Sequence, residues 1–290
     1  MTFLETIIAG MIQGILEFLP VSSFGHITVW EQRMGLTGQY GAFFEVLLHF
    51  GTLGALFIVF HKDIRKLFVE FIGILLDVIA NIHIYFHNRR SRTEVIPYNK
   101  VISSLYRRLA LMLLVTSCVT AILGFTVRNL MKLARVSEIA PGTLFLLTGI
   151  FLLVTDFSKA GGNVVPHTIR YDHAIWIGIF QGISVFPGLS RCGLTVGTAL
   201  FCGFNRKFAV KYSYLASIPA VIGAFFVELP EAVSAEVSFS QGMSFVPGIL
   251  AAGIVGYLVI RIMLRLTQKL KLRYFALYCF LAGVLSLALK

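Results

Sequence analysis

The chain has 290 residues, 57% hydrophobic and 13% charged, with mean hydropathy +0.83 and a formal net charge of +11. Soluble domains carry about 25% charged residues, so this sequence has too little polar surface to cover itself in water, and it reads as an all-α polytopic membrane protein. The excess positive charge lies in short gaps between apolar runs, where cytoplasmic loops hold it. No stripe of interleaved basic and aromatic residues points to nucleic acid.

The N-terminal "MTFLETIIAGM" has no Lys or Arg ahead of its apolar run, so it reads as a poor signal peptide that stays in the mature chain. The first apolar stretch, Phe3–Trp30, is broken in the middle at "LPVSS". Spans of the ~20 residues that cross a bilayer are predicted over Tyr40–Phe60, Leu109–Val127, Pro141–Phe157, Phe208–Val227, Phe245–Ile262 and Tyr274–Leu289. A further stretch, Ala174–Cys202, is broken at "FPGLSR". Each half of a broken stretch is too short to cross alone, but two halves can enter and leave on one face. Such re-entrant backbone is tolerated where it is buried in protein or lines a wet cavity. Cys118, Cys192, Cys202 and Cys279 show no CxxC spacing and read as small apolar fillers, with no disulfide or metal implied.

One further apolar run, Leu67–Phe86, carries Glu70, Asp77, Asn81 and His83 and is flanked by "HKDIRK" and "HNRRSR". Charge asymmetry decides its reading. As a span it would put those basic flanks on opposite faces. As an interfacial amphipathic helix it puts Lys62, Arg65, Lys66, Arg89, Arg90, Arg92, Lys100, Arg107 and Arg108 on one face. That face also receives Lys159, Arg170, Arg206, Lys207, Lys211, Arg261, Arg265, Lys269, Lys271 and Arg273. The opposite face keeps Arg33, Arg128, Lys132, Arg135 and Lys290, with an acidic loop of Glu228, Glu231 and Glu236. The rule that basic loops stay inside then favours about six transmembrane helices, an interfacial Leu67–Phe86 and both termini outside.

The two broken stretches match at an offset of 168 residues: Gly10/Gly178, Gln13/Gln181, Gly14/Gly182, Ile15/Ile183, Phe18/Phe186, Ser22/Ser190 and Gly25/Gly193 are identical. Three spans separate them, so the second unit enters from the face opposite the first. The expectation is a single integral membrane domain over 1–290, with repeat units of about 1–157 and 158–290 in inverted topology. Such folds place their sites where broken helices meet near the midplane.

Polar residues concentrate at the breaks. Gln13 and Glu17 are i, i+4 on one helical face, and Ser22 or Ser23 can cap the half-helix that follows. Ser23 and His26 are i, i+3, which pairs a hydroxyl with an imidazole as nucleophile and base. In the second unit Ser190 holds the equivalent cap position, followed by Arg191 and Thr195. An ionisable group at membrane depth costs at least about 2.5–3.5 kcal/mol and is a functional candidate by default; Glu17, His26 and Arg191 qualify. Two half-helix N-termini and a guanidinium suit a phosphate ligand. Glu17 fits beside phosphate if it holds a divalent cation or moves a proton; as an alternative, it is a structural partner of Arg191. Glu45 and His49, i, i+4 on the first span, are either support for the site or a buried polar pair.

"QGILEFLPVSSFGHI" and "FPGLSRCGLT" resemble the two signature motifs of the undecaprenyl-diphosphate phosphatase family, the bacitracin-resistance phosphatases. The first runs Gln13-x-x-x-Glu17 and then Pro20-Val21-Ser22-Ser23-Phe24-Gly25-His26. The second runs Pro187-Gly188-Leu189-Ser190-Arg191-Cys192-Gly193-Leu194-Thr195. "FEVLLHFGTLGALFIVFHKDI" is also similar to the family, and the likeness spans nearly the whole chain. The resemblance implies a multi-pass hydrolase of the bacterial inner membrane that converts the C55 isoprenoid diphosphate to its monophosphate, the lipid carrier of peptidoglycan synthesis, and confers bacitracin resistance. It implies help from Mg²⁺ or Ca²⁺, with Glu17 as essential carboxylate and metal ligand, Ser23 as favoured nucleophile, His26 as base or acid, and Arg191 as diphosphate clamp. Gln13, Ser22, Ser190 and Thr195 would bind substrate. A homodimer is compatible with this reading.

Two departures bear on the site. Gln13 stands where many members have Glu, which weakens a metal site, and Cys192 replaces a Ser beside Arg191. A polyprenyl-phosphate transporter or flippase is the competing reading, since inverted repeats with broken helices are common in transporters. A phosphatase for a shorter isoprenoid is the third.

Overall fold

The computed structural model describes residues 3–33, 41–91, 95–158, 161–234, 239–268 and 271–289. Tyr40, Arg92, Lys159, Glu236, Lys269 and Lys290 lie outside them. The elements are α1 (Phe3–Leu16), α2 (Ser23–Arg33), α3 (Gly41–Arg90), α4 (Leu105–Thr126), α5 (Arg128–Val136), α6 (Ala140–Phe157), α7 (Tyr171–Ile183), α8 (Arg191–Phe201), α9 (Arg206–Ser234), α10 (Phe239–Leu266) and α11 (Leu272–Ala288). No strand occurs among the described residues; a lone bridge joins Val164 to Phe204. The chain is an all-α polytopic membrane protein. Among the described residues five stretches are long and apolar enough to cross a membrane: Phe44–Arg90, Leu105–Thr126, Ala140–Phe157, Arg206–Pro230 and Gly242–Leu266. The sixth expected span is the 17-residue α11, which at 1.5 Å per residue rises about 26 Å.

Both broken stretches form helical hairpins. α1 and α2 have 14 and 11 residues, and α7 and α8 have 13 and 11. None reaches the ~20 residues of a span. The starts of α7 and α8 lie 168 residues after those of α1 and α2. Glycines in register make the packing repeat as well. Gly10 lets α1 approach α10 so closely that a Cβ there would sit 2.1 Å from the Gly248 carbonyl oxygen. Its counterpart Gly178 does the same for α7 on α4, with a Cβ 2.8 Å from the Thr116 oxygen. Small residues four apart are the usual means of bringing helix backbones together in lipid. Around the hairpin tips the core is apolar and aromatic, with Phe18, Leu152, Phe204, Tyr212 and Tyr214 fully buried.

Leu67–Phe86 is not a separate element. It continues the first span in one 50-residue helix, α3, bent at Phe60, where φ −106° and ψ 18° depart from helical values. Fifty residues rise about 75 Å, far more than the ~30 Å hydrocarbon core, so the helix runs beyond the bilayer or turns along it after the bend. Glu70, Asp77 and Asn81 share one face and fasten the returning chain, whereas His83 lies exposed on the other. Arg107 donates to Glu70 across 3.0 Å and also pairs with Asp77, and Asn81 exchanges two hydrogen bonds with Asn99, at 2.9 and 2.7 Å. Phe68, Leu76 and Ile79 stand exposed on the other face, the amphipathic division expected of the segment.

The short helix α5 was not expected. It has no buried residue and is held by its basic side: Arg135 donates to Glu45 at 2.9 Å and to Glu31 at 3.0 Å.

Candidate active site

The tips of the two hairpins meet. Gly25 packs so closely on the second tip that a Cβ would lie 2.6 Å from the Gly188 nitrogen. The Phe18 carbonyl accepts from the Tyr214 hydroxyl at 2.8 Å and from the Cys192 thiol at 3.5 Å. Thr148 on α6 donates to the Gly188 carbonyl at 2.8 Å and accepts from the Ser190 N–H at 3.1 Å. Both outgoing half-helices carry the same cap: Ser22 Oγ accepts from Gly25 N–H at 3.2 Å, and Ser190 Oγ from Gly193 N–H at 3.0 Å. Ser22 takes φ 64°, a conformation that costs about 1–3 kcal/mol for a residue with a Cβ and tends to mark functional sites.

Glu17 is the centre of this junction. It is 6% exposed, and four side chains reach its carboxylate. Gln13 Nε2 donates to Oε2 at 2.9 Å, Ser23 Oγ donates to the same oxygen at 2.7 Å, His49 Nε2 stands 3.3 Å from it, and Arg191 Nη2 pairs with Oε1. The ion pair with Arg191 is thus real, and it joins the two hairpins. Burying a carboxylate is tolerable when it is paired and hydrogen-bonded in this way.

Two polar atoms beside it have no partner. The second guanidinium nitrogen, Arg191 Nη1, and the amide oxygen Gln13 Oε1 are both buried without a hydrogen bond among the described residues. Such groups call for a ligand or water. One is a cationic donor suited to a phosphate oxygen; the other is an oxygen suited to a cation.

The serine and imidazole are not paired. Ser23 Oγ donates its hydrogen bond to Glu17, whereas His26 Nδ1–H donates to the Ser22 carbonyl at 2.7 Å and Nε2 lies 2.8 Å from the Tyr278 hydroxyl. The Tyr278 ring stacks on the imidazole with centroids 5.6 Å apart, and Phe145 meets it edge-on at 4.7 Å. This corrects the i, i+3 expectation: with Nδ1 committed one turn back to a carbonyl, the ring turns away from the hydroxyl toward α11. The junction gathers Gln13, Glu17, Ser23 and Arg191. Ser22 and Ser190 serve as caps at its edge. Thr195 lies one turn behind Arg191, fully buried, donating to the Arg191 carbonyl at 2.8 Å and sharing a 2.6 Å hydrogen bond with Ser213.

His49 supports Glu17 from α3. Its Nδ1–H donates to the Glu45 carbonyl at 2.8 Å, so a proton on Nε2 makes the ring cationic beside the carboxylate. The i, i+4 spacing of Glu45 and His49 signalled this, but the Glu45 carboxylate itself turns the other way, to Arg135. Tyr278 carried no signal, being one tyrosine in an apolar span. Arg135 read only as a loop charge.

Among the described residues no group of three or more His, Cys, Asp or Glu side chains could hold a metal ion. Mg²⁺ is commonly held by one or two carboxylates with substrate phosphates and water completing its shell. Glu17 together with the orphan oxygen of Gln13 fits that incomplete set.

The family model described as Bacitracin resistance protein BacA matches residues 6–285. The chain is 34% identical over 293 residues to the "Undecaprenyl-diphosphatase" of Methanosphaera stadtmanae, covering 99% of this chain and 98% of the relative. It is 32% identical over 283 residues to the protein of the same name from Alkaliphilus metalliredigens, covering 98% and 97%. To that of Desulforapulum autotrophicum it is 33% identical over 291 residues, covering 99% and 98%.

Proposed function

The chain belongs to the bacitracin resistance protein BacA family, and from that premise we propose that it is a phosphatase of the bacterial inner membrane that hydrolyses undecaprenyl diphosphate to undecaprenyl phosphate and inorganic phosphate. Through this reaction it recycles the lipid carrier of peptidoglycan synthesis and confers bacitracin resistance. The single observation that carries the reading is the 2.7 Å hydrogen bond from Ser23 Oγ to Glu17 Oε2, set beside the Arg191 guanidinium at the junction of the hairpins. A hydroxyl poised on a carboxylate is an activated nucleophile. Anion transport does not require one.

The steps follow from these groups. Arg191 draws the terminal phosphate to the junction through its free Nη1, and phosphate oxygens replace Glu17 on Nη2. Ser23 Oγ attacks the terminal phosphorus in line while Glu17 takes its proton. The bond from that phosphorus to the bridging oxygen breaks, and the prenyl monophosphate departs with the bridging oxygen. Water then attacks the phosphoserine phosphorus, the bond from Ser23 Oγ to phosphorus breaks as Glu17 returns its proton to Oγ, and inorganic phosphate leaves with both hydrogens of the water. His26 has both ring nitrogens engaged, Nδ1–H on the Ser22 carbonyl and Nε2 accepting from the Tyr278 hydroxyl, so it holds the start of α2. A divalent cation, held by Glu17 and Gln13, would neutralise charge on the diphosphate.

We read residues 1–157 and 158–290 as two repeat units of opposite topology; the matching starts of the hairpin helices and the matching serine caps support that division.

The test is phosphate release from undecaprenyl diphosphate by the detergent-purified chain. Stoichiometric release that is lost in Arg191→Ala is the expected result. Movement of the lipid phosphate across liposomes with no phosphate released would assign the chain to transport instead.

A further inference from the structure

Three side chains crowd one oxygen at the hairpin junction. Glu17 Oε2 accepts from Ser23 Oγ at 2.7 Å and from Gln13 Nε2 at 2.9 Å, and His49 Nε2 stands 3.3 Å from it. A carboxylate oxygen offers about two lone-pair sites, and the serine and the amide fill both. The imidazole is left over. Its Nδ1–H is committed to the Glu45 carbonyl at 2.8 Å, so in the neutral ring Nε2 is a bare lone pair aimed at the junction. A ring nitrogen freed in this way, with the other held by a backbone carbonyl, is the usual form of a metal-binding histidine.

A second unused acceptor lies beside it. Gln13 is fully buried, and the amide that reaches Glu17 through Nε2 carries the orphan Oε1. A half-turn of that amide presents its oxygen, in place of the N–H, to the same point. The 3.3 Å between His49 Nε2 and Glu17 Oε2 suits neighbouring ligands of an ion that binds nitrogen and oxygen at about 2.0–2.2 Å. With one histidine, one carboxylate and one amide, the set falls short of three ionisable ligands and leaves room for phosphate oxygens. The His49 side chain is 22% exposed, which gives an ion a way in.

We propose that His49 is a ligand of the divalent cation held by Glu17 and Gln13, and that its imidazole biases the site toward first-row transition ions such as Co²⁺ over Mg²⁺ and Ca²⁺. The inference rests on the phosphatase reading for the presence of a cation and goes beyond it in naming a ligand and a preference. Imidazole favours the transition ions, whereas oxygens alone favour Mg²⁺ and Ca²⁺. Gln13 brings no charge to the site, so the nitrogen of His49 is the donor that strengthens it. Arg191 pairs with Glu17 Oε1, and the cation is held more firmly once phosphate takes that guanidinium.

The experiment loads the full chain in detergent with Mn²⁺ and inorganic phosphate at about pH 8, where an ordinary imidazole is neutral. Pulsed electron paramagnetic resonance then reads whether a nitrogen nucleus couples to the bound ion, and displacement by Co²⁺ and by Mg²⁺ reads the preference. The expected result is imidazole nitrogen coupling in the wild type that disappears in His49→Gln, together with a Co²⁺ advantage over Mg²⁺ that shrinks at least about ten-fold. Bound Mn²⁺ without nitrogen coupling overturns the proposal and makes His49 only a charge partner of Glu17. Coupling or preference unchanged in His49→Gln, or no bound Mn²⁺, also overturns it. Glu17→Gln, which should release ion and signal together, keeps the test decisive if His49→Gln does not fold. No turnover enters this readout: a chain that shows the coupling yet releases no phosphate from the lipid diphosphate keeps His49 as a ligand and loses the hydrolysis reading.

Discussion

Glu17 and Arg191, 174 residues apart in the chain, form an ion pair that joins the tips of two helical hairpins. Each closes the other's charge at membrane depth, where a lone ionised group is costly. They therefore act as one unit, and their substitutions are not expected to multiply. Glu17→Gln and Arg191→Gln should each lower kcat by about 10²–10⁴-fold, with the double variant no slower than the worse single one. Steady-state phosphate release measures this; a double variant slowed by the product of the two factors would mean that the residues act separately.

Tyr278 should matter through His26. Its hydroxyl meets Nε2 at 2.8 Å while its ring stacks on the imidazole. Tyr278→Phe keeps the stack and removes one hydrogen bond, worth about 1 kcal/mol, so the rate should fall only about five-fold. His26→Ala removes the ring that holds the start of α2 and should cost more. A Tyr278→Phe rate below that of His26→Ala would give the phenol a role of its own.

Arg135 should be a stability residue. It pairs with Glu31 and Glu45, both nearly inaccessible, from helix α5, which has no buried residue of its own. Arg135→Ala leaves two buried carboxylates without their cation, a change that costs about 3–5 kcal/mol in comparable pairs. Its Tm in detergent should drop by several degrees. An unchanged Tm would contradict the assignment.

The Gln13 amide oxygen is buried without a partner, beside Glu17. Gln13→Glu supplies a second carboxylate at that point. If a divalent cation is held there, the Mg²⁺ concentration giving half-maximal phosphate release should fall in this variant and chelator should slow both enzymes. Unaltered metal dependence would remove Gln13 from the metal site.

Much of this was legible because it is written in local pattern. The breaks at "LPVSS" and "FPGLSR" announce the hairpins, and the offset of 168 pairs Gly10 with Gly178 and Ser22 with Ser190 in packing and capping roles that the fold repeats. Other relationships come from tertiary packing alone. The rotamer of His26 is set by a carbonyl one turn back and a tyrosine 252 residues away, which i, i+3 spacing cannot see. The run Leu67–Phe86 joins α3 because nothing between Phe60 and Leu67 stops a helix; only the bend at Phe60 separates the two halves. Arg135 gained its partners when α5 folded over Glu31 and Glu45, a contact with no signature in the sequence.

Phosphate release by Ser23→Ala beside His26→Ala under saturating lipid diphosphate tests whether Ser23, poised on Glu17, is the attacking group. Ser23→Ala should lose about 10³-fold or more in kcat, a greater loss than that of His26→Ala. A Ser23→Ala rate within about two-fold of wild type, with His26→Ala inactive, would contradict it.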